Sequence, residues 1–239
     1  LPEAMTVGWT HTSSRDLADA IPVGESCRML RESAASRGVY VCSGLVERAG
    51  DKVFNAAVLI DPVGNVILHH RKLNELDISH PFYDQGDRLG VAHTPLGTFG
   101  VSICADASAV GQTINRTLGY MGADMILLPA SWAVPADHLN QPEPYGKFWL
   151  DCYQPVARDF KIWMAGVSNV GTIPTGPWQG HKCIGMSLLT DPDGTTAKQG
   201  PYGEHAEAIL YHDITLRPRP ARGTQWKQLW AKNMGKQAD

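Results

Sequence analysis

Three residues in this chain combine a nucleophile, a base and a fixed cation. Cys104 ends an apolar run in "TFGVSICAD" and is followed by the small residues Ala105, Asp106, Ala107 and Ser108. A lone cysteine at a strand end is most often a small buried hydrophobe. In α/β folds, however, functional groups sit at the carboxyl ends of strands, and a tight turn there exposes a nucleophile. The same turn aims backbone N–H groups at a reacting carbonyl, and the Ala105 N–H is the candidate. Lys72 ends the run "VILHHRK", and Glu3 lies in "LPEAM". A thiol needs activation, which a carboxylate supplies as base and an ammonium supplies as counter-charge. Each of these two residues, taken singly, reads as an ordinary solvated charge.

Other polar residues enter with less specificity. Glu75 and Asp77 are the carboxylates nearest Lys72, and Glu75 is favoured as a second carboxylate. The proline-rich, aromatic stretch "SWAVPADHLNQPEPYG" (131–146) follows a strand-like run. Long irregular loops are often functional, so Trp132, His138 and Tyr145 are candidate pocket residues, with loop packing or a subunit contact as the alternative. His69, His70, His80 and His93 match no metal-ligand spacing, so neither metal nor cofactor is expected.

The elements that must position these residues alternate between hairpins and strand–helix–strand units. "VYVCSGLVER" and "KVFNAAVLID" flank a turn at "AGD" and read as a hairpin. "ADMILLPAS" is apolar throughout, as for a strand buried on both faces. "KIWMAGVSNVG" is similar, and "IGMSLLTD" with "TTAKQG" reads as a late hairpin. "EAILYHDITL" (207–216) alternates and predicts a last strand. Helices are expected over 24–38, closed by Gly38, over 110–123, and over 145–160, where Pro155 should kink or interrupt the helix. The pattern implies helical layers over a buried β core.

The order of the three residues, with the text between them, resembles the nitrilase (carbon–nitrogen hydrolase) superfamily. Glu3 stands in a "PE" context, Lys72 in an "RK" context, and Cys104 follows the apolar strand "VSIC". "NAAVLIDPVGNVILHHRK", "GDRLGVAHTPLGTFGVSIC", "ADMILLPASW" and "GMSLLTDPDG" support the match, which covers residues 1 to about 215. The resemblance implies an α/β fold, a four-layer α-β-β-α sandwich. It also implies a first strand and helix ahead of the glutamate, a unit of about 30 residues that this chain lacks. The expected domains are a hydrolase domain over 1–215 and a C-terminal tail over 216–239 that can contact another subunit.

It further implies a Glu3-Lys72-Cys104 triad with Ala105 in the oxyanion hole. The reaction would be hydrolysis of a non-peptide C–N bond, amide ahead of nitrile, through a thioester. Acyl transfer to an amine and a non-catalytic scaffold are the alternatives. Many relatives carry an arginine-containing run after the cysteine; here that run is "ADASAV", which removes one usual clamp for a substrate carboxylate. The expected partners are a small-molecule amide or nitrile substrate and, from the resemblance, copies of the same chain in a homodimer or higher homo-oligomer.

Bulk properties fit this frame. The chain has 239 residues, with 43% hydrophobic and 19% charged, so a sizeable core is available. The net charge of −3 gives no reason to expect nucleic acid or an anionic membrane. The longest apolar stretch, 125–134, is too short for a bilayer. Five cysteines without CxxC pairs point to free thiols in a reducing, cytoplasmic setting.

Overall fold

The computed structural model describes residues 1–142, 144–219 and 226–235. The chain begins with an irregular stretch carrying the short α1 (Ser14–Leu17), then α2 (Glu25–Arg37). Gly38 closes α2 in the left-handed region, at φ 63°. The strands β1 (Val41–Ala49), β2 (Lys52–Ile60) and β3 (Val66–Arg71) pair antiparallel in that order.

Next come β4 (Val91–Thr94), β5 (Gly97–Val101), α3 (Thr113–Met121), β6 (Met125–Ala130), β7 (Ala133–Val134), α4 (Gly146–Phe160) and β8 (Trp163–Ser168). The rest of the fold is β9 (Val170–Thr172), β10 (Lys182–Ile184), β11 (Leu188–Thr190), β12 (Thr196–Gln199) and α5 (Trp226–Asn233). A six-stranded sheet has the order β12-β11-β8-β6-β5-β4, with β5, β6 and β8 parallel. The helices α3 and α4 make the crossovers that parallel neighbours require.

Burial shows four layers. On β2, Val58 and Ile60 face α2 together with Cys27 and Ala34. The alternate residues Ala57 and Leu59 face the other sheet, against Val101 and Ile103. A strand sandwiched between a helix and a sheet must be apolar on both sides, which explains the unbroken "AAVLI". Beyond the second sheet, Ile126, Leu128 and Met164 pack on Leu118 of α3 and Tyr153 and Val156 of α4. The architecture is therefore the α-β-β-α sandwich expected from the sequence.

Two local expectations change. α4 runs unbroken through Pro155, because burial of Trp149, Cys152, Tyr153, Val156 and Ala157 outweighs the lost N–H. The run 207–216 forms no strand: it lies extended, with Ile209 80% and Tyr211 79% exposed. Trp163 Nε1 donates to the Thr215 carbonyl (3.1 Å), which straps the run down by a side chain instead of a ladder. The tail expected at 216–239 lies partly outside the described residues. Among those described, no helix is long and apolar enough to cross a membrane.

Candidate active site

The nucleophile candidate sits where β5 runs out. Ile103 is still extended; Cys104 then turns to φ 41° and opens a short 3₁₀ turn over Cys104–Ser108. A positive φ at a non-glycine residue is sterically costly and persists only where the surroundings enforce it. Here Asn74 Nδ2 and Ser108 Oγ both donate to the Ala105 carbonyl, at 2.6 and 3.0 Å. Ala105 itself is buried. The Ser131 N–H, just past β6, hydrogen-bonds the Cys104 sulfur.

Around the thiol the sheets assemble a small charge cluster. Lys72 follows β3 and is 1% exposed. Its Nζ donates to Glu3 Oε1 at 2.8 Å and lies 3.7 Å from Glu75 Oε2. Asn55 Nδ2, from the middle of β2, donates to the same Glu3 oxygen at 2.6 Å. Glu3 Oε2 is buried with no partner other than the Cys104 thiol. The Glu3 carbonyl accepts from Asn169 Nδ2 at 2.9 Å, which holds the residue from its backbone side. Ser79 Oγ donates to Glu75 Oε2 at 2.7 Å.

The electrostatics assign protons. Burial works against the Lys72 charge, but Glu3, Glu75 and Cys104 outweigh it and raise its pKa well above the usual lysine value. Lys72 is thus a permanent ammonium and no base. Burial pushes the Glu75 carboxyl up, against the pull of Lys72. Burial first, and then Glu3, drive the Cys104 thiol far above the ordinary thiol range; Lys72 opposes this and loses. The resting group is therefore a thiol, because an anion here would be desolvated beside a carboxylate. In the free protein, alkylation of Cys104 should keep accelerating through about pH 9, the ordinary thiol value. A rate plateau near neutral pH, read by peptide mass spectrometry, would contradict this assignment.

A third buried carboxylate, missed in the sequence, locks the two loops together. Asp106 is 0% exposed. Its Oδ1 accepts from the N–H groups of Leu73 (3.0 Å) and Asn74 (2.8 Å), immediately after Lys72. Its Oδ2 accepts from the Ile103 N–H (2.9 Å) and from His70 Nε2 (2.8 Å). Hydrogen bonds from His70 and the backbone outweigh burial and lower the Asp106 pKa. An ionised carboxylate only accepts, so His70 carries its proton on Nε2. The other histidines are engaged separately, His69 with Glu47 and His93 with Thr98.

The sequence candidates thus fall at different places. Glu3, Lys72, Glu75 and Cys104 share one cluster. Trp132 is 2% exposed and belongs with Cys104 and Tyr145 to one apolar cluster. His138 closes a local turn, its N–H donating to the Pro135 carbonyl at 3.1 Å. Asn55 carried a usable signal: one polar side chain inside an apolar strand must have a buried partner.

Comparison with known proteins identifies the family and the fold. A nitrilase of Pyrococcus abyssi is 29% identical over 221 residues, covering 90% of this chain and 76% of that protein. The omega-amidase NIT2 of Mus musculus is 30% identical over 228 residues, covering 91% and 76%. A carbon–nitrogen hydrolase from Helicobacter pylori superposes with TM-score 0.74 at 19% identity, over 84% of this chain and 72% of that one. An amidase from Nesterenkonia sp. AN1 superposes at 0.67 and 19% identity, with the same coverage. The carbon-nitrogen hydrolase family pattern matches residues 1–220, and the chain belongs to that family of enzymes.

Proposed function

We propose that this chain hydrolyses the C–N bond of a small amide, ahead of a nitrile, through a thioester on Cys104. The observation that carries the reading is Glu3 Oε2, a buried oxygen with no partner other than the Cys104 thiol. With Oε1 already taken by Lys72 and Asn55, one basic oxygen is left beside a protonated thiol. Glu3 takes the thiol proton as sulfur attacks the amide carbon. The negative charge that develops on the carbonyl oxygen is met by the Lys72 ammonium and the Ala105 N–H. Glu3 returns the proton to the leaving nitrogen, and ammonia departs. Glu3 then removes a proton from water, which attacks the thioester and releases the acid with the thiol restored. Glu75 holds Lys72 from the other side, so its charge stays directed at the site.

A glutamate-to-leucine mutant of the Nesterenkonia amidase carries the acetamide moiety of fluoroacetamide covalently at its active-site cysteine, which supports the same role for Cys104. Intact mass spectrometry after incubation with fluoroacetamide should show one adduct of that moiety, mapped to Cys104, and none in Cys104→Ala. Ammonia release from simple amides should disappear in the same variant. Turnover retained in Cys104→Ala, or an adduct on Cys27 or Cys42 instead, would overturn the assignment.

A further inference from the structure

We propose that Asn55 is a positioning residue that routes the reaction's proton: together with Lys72 it fills Glu3 Oε1, so that only Oε2, beside the Cys104 thiol, takes the proton and gives it back. This deepens the hydrolase reading above and rests on it. Asn55 lies in the middle of β2 and is 0% exposed. Its Nδ2 donates to Glu3 Oε1 at 2.6 Å, and Lys72 Nζ donates to the same oxygen at 2.8 Å. A carboxylate oxygen offers two lone-pair directions, and both on Oε1 are taken. Oε2 has no partner other than the thiol. A proton arriving at Oε1 must expel a donor from a dry site, whereas one arriving at Oε2 expels nothing. As sulfur attacks, the S–H bond breaks, its proton goes to Oε2, and the new S–C bond drives the carbonyl electron pair onto oxygen. The Oε2–H bond then gives its proton to the leaving nitrogen as the C–N bond breaks. Both transfers need the proton on the oxygen that faces the reacting atoms.

The same residue also seats the ammonium. The Asn55 carbonyl accepts from the Lys72 N–H at 2.9 Å, one step past the pairing of Ala56 with Arg71. Its side chain therefore holds the base and its backbone holds the loop that carries the cation. The direction of the amide follows from chemistry: an ionised carboxylate only accepts, so the NH2 group faces Glu3. That choice leaves Asn55 Oδ1 buried without a hydrogen-bond partner. Every other residue from Val53 to Ile60 is apolar and buried, so an apolar side chain would suit the strand better. A half-satisfied amide kept in such a strand, against the Glu3 carboxylate, marks a residue held for the site at a cost to the core.

Asn55→Asp keeps the shape and tests the donor alone. Protonated, the new carboxyl donates to Glu3 Oε1 as the amide does; ionised, it repels Glu3 and competes for its proton. With the full chain and butyramide, the ratio of variant to wild-type kcat, read by ammonia release, should be near one at the acid end of the range. It should fall roughly 100-fold as pH rises past neutrality. The wild type has no such limb, because its thiol and its ammonium keep their protons there. Asn55→Leu removes the donor at every pH: kcat should drop roughly 100-fold with KM changed only a few-fold, and the acid limb of kcat/KM should move to higher pH. A ratio for Asn55→Asp that is constant with pH would overturn the proposal, since the amide would then serve the strand and not the proton. Wild-type kcat in Asn55→Leu would overturn it too; where that variant does not fold, the Asn55→Asp profile decides alone. Either result, with the wild type turning over, leaves the hydrolase reading intact. A wild type silent on simple amides, with no adduct at Cys104, would bring down that reading and this inference with it.

Discussion

Lys72→Met should abolish turnover and cost about 3–5 kcal/mol of stability, because it strands two buried carboxylates. The native lysine is 1% exposed and joins Glu3 to Glu75. Its folded pKa lies above the unfolded value despite burial. A raised base contributes stability that is complete below the unfolded pKa and is lost only as pH climbs through the folded one. Across the neutral range, therefore, Lys72 stabilises at full strength. Remove it, and Glu75, already pushed upward by burial, takes up a proton instead of remaining an unpaired anion. The stability gap to wild type should then narrow as pH falls towards 5, since that proton becomes cheaper to bind. For a chain of this length the loss at pH 7 corresponds to a drop of roughly 10 °C in melting temperature.

Activity separates the electrostatic role from the structural one. An ammonium that meets developing negative charge is worth roughly 10²–10³ in kcat or more. Lys72→Arg keeps the charge but moves it onto a larger planar fork. It should recover part of the stability and little of the rate. Lys72→Met melting like wild type at pH 7 would show that the cluster is not an ion pair at all. Lys72→Arg with wild-type kcat would show that only charge, and not position, matters.

How far the site could be read from sequence depends on the distance over which each feature is decided. Cys104, Lys72 and Glu3 could be grouped only by their order and the resemblance it carries, since Lys72 and Glu3 taken singly read as ordinary charges; the fold brings Lys72 and Glu3 within 2.8 Å. The hairpin of β1 and β2 and the Gly38 cap were legible because turns and caps are local chemistry. The two-sided burial of β2 followed from its unbroken apolar run. The run 207–216 was misread because alternation reports two unlike faces; it does not report whether a neighbouring strand exists to pair with. Pro155 does not interrupt α4, because its local penalty is outweighed by the five buried residues of the helix. The protonation of Cys104 was out of reach altogether. It depends on burial and on Glu3, which is 101 positions away in the sequence.

Asp106 is the sharpest instance of such long-range chemistry, and Asp106→Asn should be nearly as damaging as losing Lys72. In the sequence it is one acid among small residues, easily taken for part of a solvated turn. In the fold its two oxygens take four hydrogen bonds, from the loop after Lys72, from the last residue before Cys104, and from His70. Asparagine has the same shape but offers one acceptor oxygen and one NH2. Turned either way, the NH2 faces at least one backbone N–H, those of Leu73 and Asn74 or that of Ile103. A buried donor facing a donor loses its bond and keeps the desolvation cost. The stability loss should be about 3 kcal/mol or more, concentrated where the lysine loop meets the nucleophile turn. Because Asp106 is a positioning residue, kcat should fall at least about 100-fold while KM moves by only a few-fold. The lowered pKa adds a pH signature: the native carboxylate contributes stability above its unfolded pKa and loses it as pH falls through the lower folded value. The stability difference between wild type and Asp106→Asn should therefore shrink on the acid side and stay constant above neutrality. An Asp106→Asn enzyme with native melting and native kcat would mean that the Lys72 loop and the Cys104 turn hold their positions without this carboxylate.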